Sequence, residues 1–151
     1  MTCECGQPRP CIDSWHEALA EEQQDRTMYR WHLPLVMTFV LQHRSQFRAR
    51  QASAQYQLLQ LYVDRGLEAV LRVAAHQVAR NGRAKSGYDL RPLEPYAALP
   101  ADVWPSAFGL SVHDLRAGDG GFVSDGYEAY GERMRRLSEA TVAAWAVATP
   151  L

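Results

Sequence analysis

Residues 127–148, YEAYGERMRRLSEATVAAWAVA, form the stretch that decides the fold class. Its apolar and small residues recur every three or four positions, which places them on one face of an α-helix. These residues are Tyr127, Tyr130, Met134, Leu137, Thr141, Ala144 and Ala148. The pattern predicts a terminal helix within residues 122–149, which Pro150 stops because proline cannot continue the backbone hydrogen bonding.

The same spacing predicts a pair of helices before a long loop. Residues 49–65 carry an apolar face, and residues 67–80 carry another. Gly66 lies between them and is typical of the left-handed residue that ends a helix. A one-residue connection of this kind favours an antiparallel helical pair.

Two further helices are predicted nearer the N-terminus, over residues 13–24 and 26–43. Ser14 and Glu17 have the spacing of a capping box at the start of the first helix. Asp25 is a good N-cap for the second helix. Pro34 lies inside the second pattern and cannot donate to the carbonyl of Arg30, so we expect a break near residues 31–34, beside His32.

The sequence therefore predicts an all-α, bundle-like fold of about five helices in a single domain over residues 1–151. A Cys-rich loop occupies residues 1–12, and four helices lie within residues 13–82. A long Pro-rich loop covers residues 83–121, and the terminal helix follows over residues 122–149. The loop carries many aromatic and aliphatic residues, so we expect it to be ordered against the helices.

Composition excludes several classes of protein. With 47% hydrophobic and 22% charged residues, the chain of 151 residues is neither disordered nor of low complexity. The net charge of -1 gives no strong signal for nucleic acid. No apolar run is long enough to span a membrane, and the first residues do not resemble a signal peptide, so we expect no membrane partner and a cytoplasmic location. Homodimer formation and other partners are left open.

All the cysteines lie within the first eleven residues, at Cys3, Cys5 and Cys11. In a reducing compartment an odd, clustered set is typical of metal binding, and three thiolates suit zinc. A fourth ligand would complete a tetrahedron. His32 is the first choice because it lies beside the disturbed turn at Pro34, and His16 and His43 are less favoured.

The position of His43 suggests a different role. A straight helix separates His32 from His43 by about 16 Å, so one metal cannot take both. At a helix C-terminus a histidine commonly caps the last carbonyl groups. We therefore expect His43 to cap the helix that contains it.

Residues 11–43 resemble a family of small, uncharacterised bacterial proteins, a domain of unknown function. The residues that carry the resemblance are Cys11, Leu19-Ala20, Glu22, Asp25, Tyr29, His32-Leu33, Val36, Phe39 and Gln42-His43. That family begins with a Cys-x-x-Cys-Gly-like turn, followed by a third Cys and a helix ending in Gln-His. The resemblance implies that Cys5, Cys11 and His32 act as a set, together with Gln42 and His43. The chain departs from the pattern in its shorter Cys3-x-Cys5 spacing, in Arg26 after Asp25, and at Pro34.

Three functional hypotheses follow. The first is a structural zinc site made by Cys3, Cys5, Cys11 and His32. The second is an enzyme, a hydrolase or thiol transferase, in which Cys5, Cys11, His32 and a water hold the metal and leave one position open. The third is a redox or metal sensor that uses Cys3 and Cys5 as a dithiol. No catalytic residue is assigned, because no sequence motif of a known nucleophile or phosphate-binding loop occurs.

Overall fold

The structure is a computed structural model that describes residues 2–46, 49–84, 93, 95–99 and 104–148. Within these residues it has six α-helices and no strands, which confirms the predicted all-α class. The helices are α1 (Ile12–Gln23), α2 (Arg26–Tyr29), α3 (His32–Gln42), α4 (Ala49–Arg65), α5 (Leu67–Ala84) and α6 (Tyr127–Ala148). Short 3-10 turns cover Arg44–Gln46 and Val112–Leu115.

Helix α3 lies against both α4 and α6, and α4 also packs against α5. The core between them contains large, fully buried side chains, including Leu35, Leu59, Tyr130 and Trp145. Most of the face predicted for the terminal helix is buried, since Tyr130, Met134, Leu137 and Thr141 are all inaccessible, but Tyr127 at its start is exposed. Burial of apolar side chains supplies the main driving force for this arrangement.

The break predicted near Pro34 separates α2 from α3. Helix α2 ends at Tyr29, and α3 begins at His32, so Pro34 lies in the first turn of α3. A proline is tolerated there because its missing N–H would have no partner within the helix. The carbonyl of Pro34 accepts a hydrogen bond from the Thr38 hydroxyl at 2.8 Å. His32 is therefore the first residue of a helix that is buried along most of its length.

The helix ends agree with the predictions at Asp25 and Gly66, and they differ at the start of α1 and at the end of α5. Helix α5 continues to Ala84 instead of ending at residue 80. The Asp25 carboxylate accepts hydrogen bonds from the backbone N–H groups of Thr27 and Met28, and Gly66 has a positive φ of 88°. The capping box predicted at Ser14 is wrong. Helix α1 begins one turn earlier, with Cys11 as its N-cap residue, and Ser14 is buried with its hydroxyl 2.8 Å from His113 Nδ1.

Part of the long loop can be described. Its side chains at Leu93, Tyr96, Leu99, Trp104 and Leu110 pack against the helical core, as expected of an ordered loop. Its residues 85–92, 94 and 100–103, and the predicted stop at Pro150, lie outside the described residues. Before α6, residues 122–126 form turns rather than the first turn of the helix.

None of the helices described is both long enough and apolar enough to cross a lipid bilayer.

Two helical glycines give a matched test of the packing. A Cβ at Gly131 would lie 2.9 Å from the Trp31 ring, whereas a Cβ at Gly82 meets nothing within 4 Å. We expect Gly131→Ala to lower the free energy of unfolding by about 1–3 kcal/mol because the indole must move. Gly82→Ala should raise it by up to about 1 kcal/mol, since alanine is the better helix former. Urea unfolding measures both, and equal effects would contradict the close Trp31 contact.

Candidate metal centre

Three thiols and one imidazole meet at one place in the structure. Each of Cys3, Cys5, Cys11 and His43 offers a ligand atom, and these atoms all lie within 4.8 Å of one another. The sulfurs of Cys5 and Cys11 are 3.6 Å apart. Cys5 and Cys11 are 0% and 1% exposed, His43 is buried, and Cys3 is partly accessible. No other group of this kind is found in the part of the chain that the structure describes.

The loop that carries Cys3 and Cys5 is a tight turn held by its own backbone. The N–H of Gly6 donates to the Cys3 carbonyl at 3.0 Å, and the N–H of Cys3 donates to the Gln7 carbonyl at 2.8 Å. The Gln7 N–H interacts with the Cys5 thiolate and helps to lower its pKa. Gly6 has a φ of 93°, which other residues rarely adopt, so the turn needs a glycine at this position.

The same loop is docked onto a distant part of the chain. The Phe108 N–H donates to the Cys5 carbonyl at 3.0 Å, and the Gln7 side-chain amide donates to the Phe108 carbonyl at 3.2 Å. On its other side, the Glu4 carboxylate accepts from the N–H and hydroxyl of Ser45, at 3.1 and 2.6 Å. These contacts hold the two thiols beside the C-terminal end of α3.

The other two donors come from helix ends. Cys11 is the N-cap residue of α1, and its carbonyl accepts the Trp15 N–H at 2.9 Å. His43 is the C-cap residue of α3. Its Nδ1 lies 2.8 Å from the Phe39 carbonyl, which can only accept, so Nδ1 carries the proton. Nε2 is buried and makes no hydrogen bond to a described residue outside the thiol cluster, so its lone pair is the one left for a metal.

Stacked rings fix the orientation of this imidazole. The Phe39 ring lies 4.0 Å from the His43 ring, centroid to centroid, and 4.1 Å from Trp15 on its other face. Trp15 belongs to α1, which starts at Cys11, so one stack joins the two helix ends that carry ligands. A ring held on its face and through Nδ1 has little freedom to turn Nε2 away.

The contact between Cys5 and Cys11 shifts the pKa values of the two thiols in opposite directions. The hydrogen bond from the Cys11 thiol lowers the pKa of Cys5 to about 4, although burial acts in the opposite direction. The same contact, with burial, raises the pKa of Cys11. Burial lowers the pKa of His43, but its interactions with Cys5 and the Phe39 carbonyl outweigh that effect and the net shift is upward. The contact with Cys11 therefore favours the thiolate form of Cys5, and thiolate is the form that ligates a metal.

His32 and His16 are not part of this cluster. The Nδ1 of His32 pairs with the buried carboxylate of Glu22, and its ring stacks on Tyr29 at 4.7 Å. His16 is exposed on α1. The expected set of Cys3, Cys5 and Cys11 is thus brought together, whereas the histidine beside it is His43 rather than His32. The expected capping role of His43 is also present, because one ring nitrogen caps α3 while the other faces the thiols.

Comparison with known protein families identifies the family of the chain. The sequence profile of a family of unknown function, DUF5946, matches residues 1–146. The chain belongs to DUF5946. This agrees with the resemblance seen in residues 11–43, and it shows that the matched region of the DUF5946 chain includes all four clustered residues. Comparisons with curated proteins and with solved structures find no match.

Alanine substitutions at two glycines with similar φ distinguish the cost of backbone strain from the cost of moving the N-terminal loop in the DUF5946 chain. Gly6 and Gly120 have φ values of 93° and 92°, but only at Gly6 would a Cβ meet another residue, 2.9 Å from the Ala107 Cβ. In both alanine variants, backbone strain should lower the free energy of unfolding by about 1 kcal/mol or more. In Gly6→Ala the free energy of unfolding should fall by about 1–3 kcal/mol more, because the new Cβ forces the loop away from Ala107. Equal losses in urea unfolding would show that this contact does not hold the loop.

Proposed function

We propose that the protein binds one Zn²⁺ through Cys3, Cys5, Cys11 and His43, and that the metal is structural. The observation that carries the proposal is the convergence of three thiol sulfurs and one imidazole nitrogen within 4.8 Å, the nitrogen being buried with no partner among the described residues outside this cluster. A buried polar atom without a partner is costly, and a metal bond would satisfy it.

The distance between two of the donors, Cys5 and Cys11, fits a tetrahedral zinc ion. With Zn–S bonds of about 2.3 Å, two sulfurs of a regular tetrahedron lie about 3.8 Å apart. The distance between Cys5 and Cys11 is 3.6 Å. Three thiolates and one imidazole are a common ligand set for structural zinc, and the bond from Nδ1 to a backbone carbonyl is the usual support of a ligating histidine.

The proposed role is to fasten the N-terminal loop to the helices. Four protein ligands would fill the tetrahedron and leave no position for water or substrate, which is typical of structural sites. The ligands come from the loop, from the start of α1 and from the end of α3, so one ion would join three segments. A reducing compartment such as the cytoplasm would keep the three thiols available to the metal.

The ligand set can be tested by metal content. We expect one zinc per chain in the protein as purified, and loss of most of it in His43→Ala and Cys11→Ser. His43→Cys should keep a site, because four thiolates also hold zinc. The matched controls are His32→Ala and His16→Ala, which should retain one zinc. Elemental analysis together with the absorption spectrum of the Co²⁺-substituted protein measures both stoichiometry and tetrahedral geometry.

Two results would contradict this ligand set. Protein that contains no zinc after growth and purification with the metal present would overturn the proposal. Loss of zinc in His32→Ala but not in His43→Ala would move the fourth ligand to His32. Cys3→Ala tests whether the site is closed: unchanged zinc affinity in that variant would indicate an open position that holds water, as an enzyme needs.

Removal of the metal should destabilise the fold. A ligand that binds only the folded state at a thousand times its Kd contributes about 4 kcal/mol. For a chain of this length that corresponds to a fall in Tm of roughly 10 °C. We expect a chelator to produce this fall and added Zn²⁺ to reverse it, as followed by circular dichroism. The Cys5→Ser variant is the control and should not respond to chelator; an unchanged Tm in the native protein would argue against a structural metal.

A second candidate function is a redox sensor. It is favoured by the short distance between Cys5 and Cys11 and by the lowered pKa of Cys5, which make a reactive thiolate beside a second thiol. The 3.6 Å distance favours Cys5 and Cys11 as the reactive pair, whereas the sequence suggested Cys3 and Cys5. Metal-free protein that loses two of its three titratable thiols to a mild oxidant, and regains them with a reductant, would favour this function over zinc.

A further inference from the structure

A cavity lies between α3 and α5, away from the candidate metal centre. Its volume is about 550 Å³, within the range of small-molecule sites. Most of its wall is apolar, formed by Leu33, Val36, Met37, Leu71, Ala74 and Val78. An apolar chamber of this size on the surface of a helical protein has room for an organic molecule, whereas an ion would leave it largely empty.

One polar group in the wall of the cavity has no partner. Gln55 of α4 lines the cavity and is only 8% exposed, and its side-chain oxygen Oε1 is buried with no hydrogen bond from any residue that the structure describes. An unsatisfied carbonyl oxygen in an apolar wall costs free energy unless something donates to it. The natural partner is an N–H or O–H group on a molecule that fills the cavity.

The rim of the cavity carries an oriented histidine. The Nδ1 of His32 is held by Glu22, whose side chain is fully buried, and the ring is stacked on Tyr29. Both His32 and Tyr29 line the cavity. Since Nδ1 is engaged by Glu22, Nε2 is the ring nitrogen left for a ligand. The interaction of His32 with Glu22 therefore positions a polar group at the entrance.

The charge at the rim is positive. Arg26 and Arg30 both line the cavity, and none of the described residues that line it is acidic. Arg30 forms an ion pair with Glu68, while no ion pair with a described residue is found for Arg26. An exposed guanidinium group at the mouth of an apolar cavity favours a carboxylate or a similar anion.

We propose that this cavity binds a small organic acid with an apolar body and an N–H or O–H donor. The body lies against the aliphatic wall, the donor faces Gln55 Oε1, and the anionic group lies at the rim near Arg26 and His32. This site is independent of the zinc proposal: it shares no residue with the thiol cluster, and it gives His32 a function that metal ligation does not.

Three probes with similar bodies test the proposal on the protein as purified. Indole-3-acetate has an aromatic body, an N–H and a carboxylate. Its relative 1-naphthaleneacetate lacks the N–H, and 3-methylindole lacks the carboxylate. We expect indole-3-acetate to bind most tightly, with each relative weaker by about fivefold to tenfold, since each lacks one polar contact. Titration of ¹⁵N-labelled protein gives the affinities, and the amide shifts should map to α3, α5 and the neighbourhood of Gln55.

Matched variants connect the affinities to the cavity. Ala74→Trp fills the cavity and should abolish binding of all three probes, whereas Ala75→Trp, its exposed neighbour on α5, should not. Gln55→Leu should weaken indole-3-acetate about fivefold to tenfold and leave 1-naphthaleneacetate unchanged. Arg26→Gln should weaken the two acids and not 3-methylindole, with Arg72→Gln as the exposed control outside the cavity.

Several results would overturn the proposal. Shifts that map away from the cavity would do so, as would equal effects of Ala74→Trp and Ala75→Trp. Three probes of equal affinity would show an apolar cavity with no preference for an acid or a donor. Because Ala74→Trp could disturb folding, its amide spectrum is compared with that of the parent, and Gln55→Leu decides if that spectrum has changed. None of these readouts depends on zinc, so failure here is distinguishable from failure of the metal site.

Discussion

The buried C-terminal end of α3 is the constraint on which the rest of the structure depends. The last carbonyls of any helix lack partners within it, and burying them requires donors from elsewhere. Here Trp145 Nε1 donates to the Leu41 carbonyl at 2.9 Å. The Gln42 amide donates to the Leu110 carbonyl and to the Thr141 hydroxyl, each at 2.9 Å. Trp145 and His43 therefore cap the Leu41 and Phe39 carbonyls of this helix end, while Gln42 ties it to α6 and to the loop before α6. The His43 ring also extends the junction to the thiols.

The two ends of α3 carry the two candidate sites. His32 is its first residue and lines the cavity, and His43 follows its last residue and faces the thiols. The break before Pro34 determines the first of these, because it places His32 at a helix start where its side chain can reach Glu22. Eleven residues of helix, about 16 Å, keep the two imidazoles apart. A rigid, buried helix therefore holds two chemically different sites at a fixed separation.

Local sequence patterns predict most of the helices, whereas the role of Ser14 and the histidine beside the thiols depend on contacts between residues far apart in the sequence. The terminal helix and the helix ends at Asp25 and Gly66 follow from periodicity and capping chemistry that a few neighbouring residues contain. The capping box at Ser14 failed because its hydroxyl is taken by His113, 99 positions away. The set of three cysteines was predictable from their number and their spacing.

The histidine beside them was not predictable from the same reasoning. The choice between His32 and His43 depends on where the loop docks, and that is fixed by its contacts with Phe108 and Ser45. The Gln42-His43 pair in the family resemblance is the sequence signal for the helix end that lies beside the thiols. A capping role does not prevent a histidine from facing a metal, because one ring nitrogen can cap the helix while the other is left for a ligand.

The order of the four donors along the chain bears on how the protein is made. Cys3, Cys5 and Cys11 leave the ribosome before His43, and all four donors precede Phe108 and Trp145 along the chain. The segment that contains Phe108, on which the loop docks, and the helix that contains Trp145 are made much later. The cluster can therefore assemble within an early nascent segment and close short loops at small entropic cost. The α6 end of the chain then meets a helix end whose ligands are already in place.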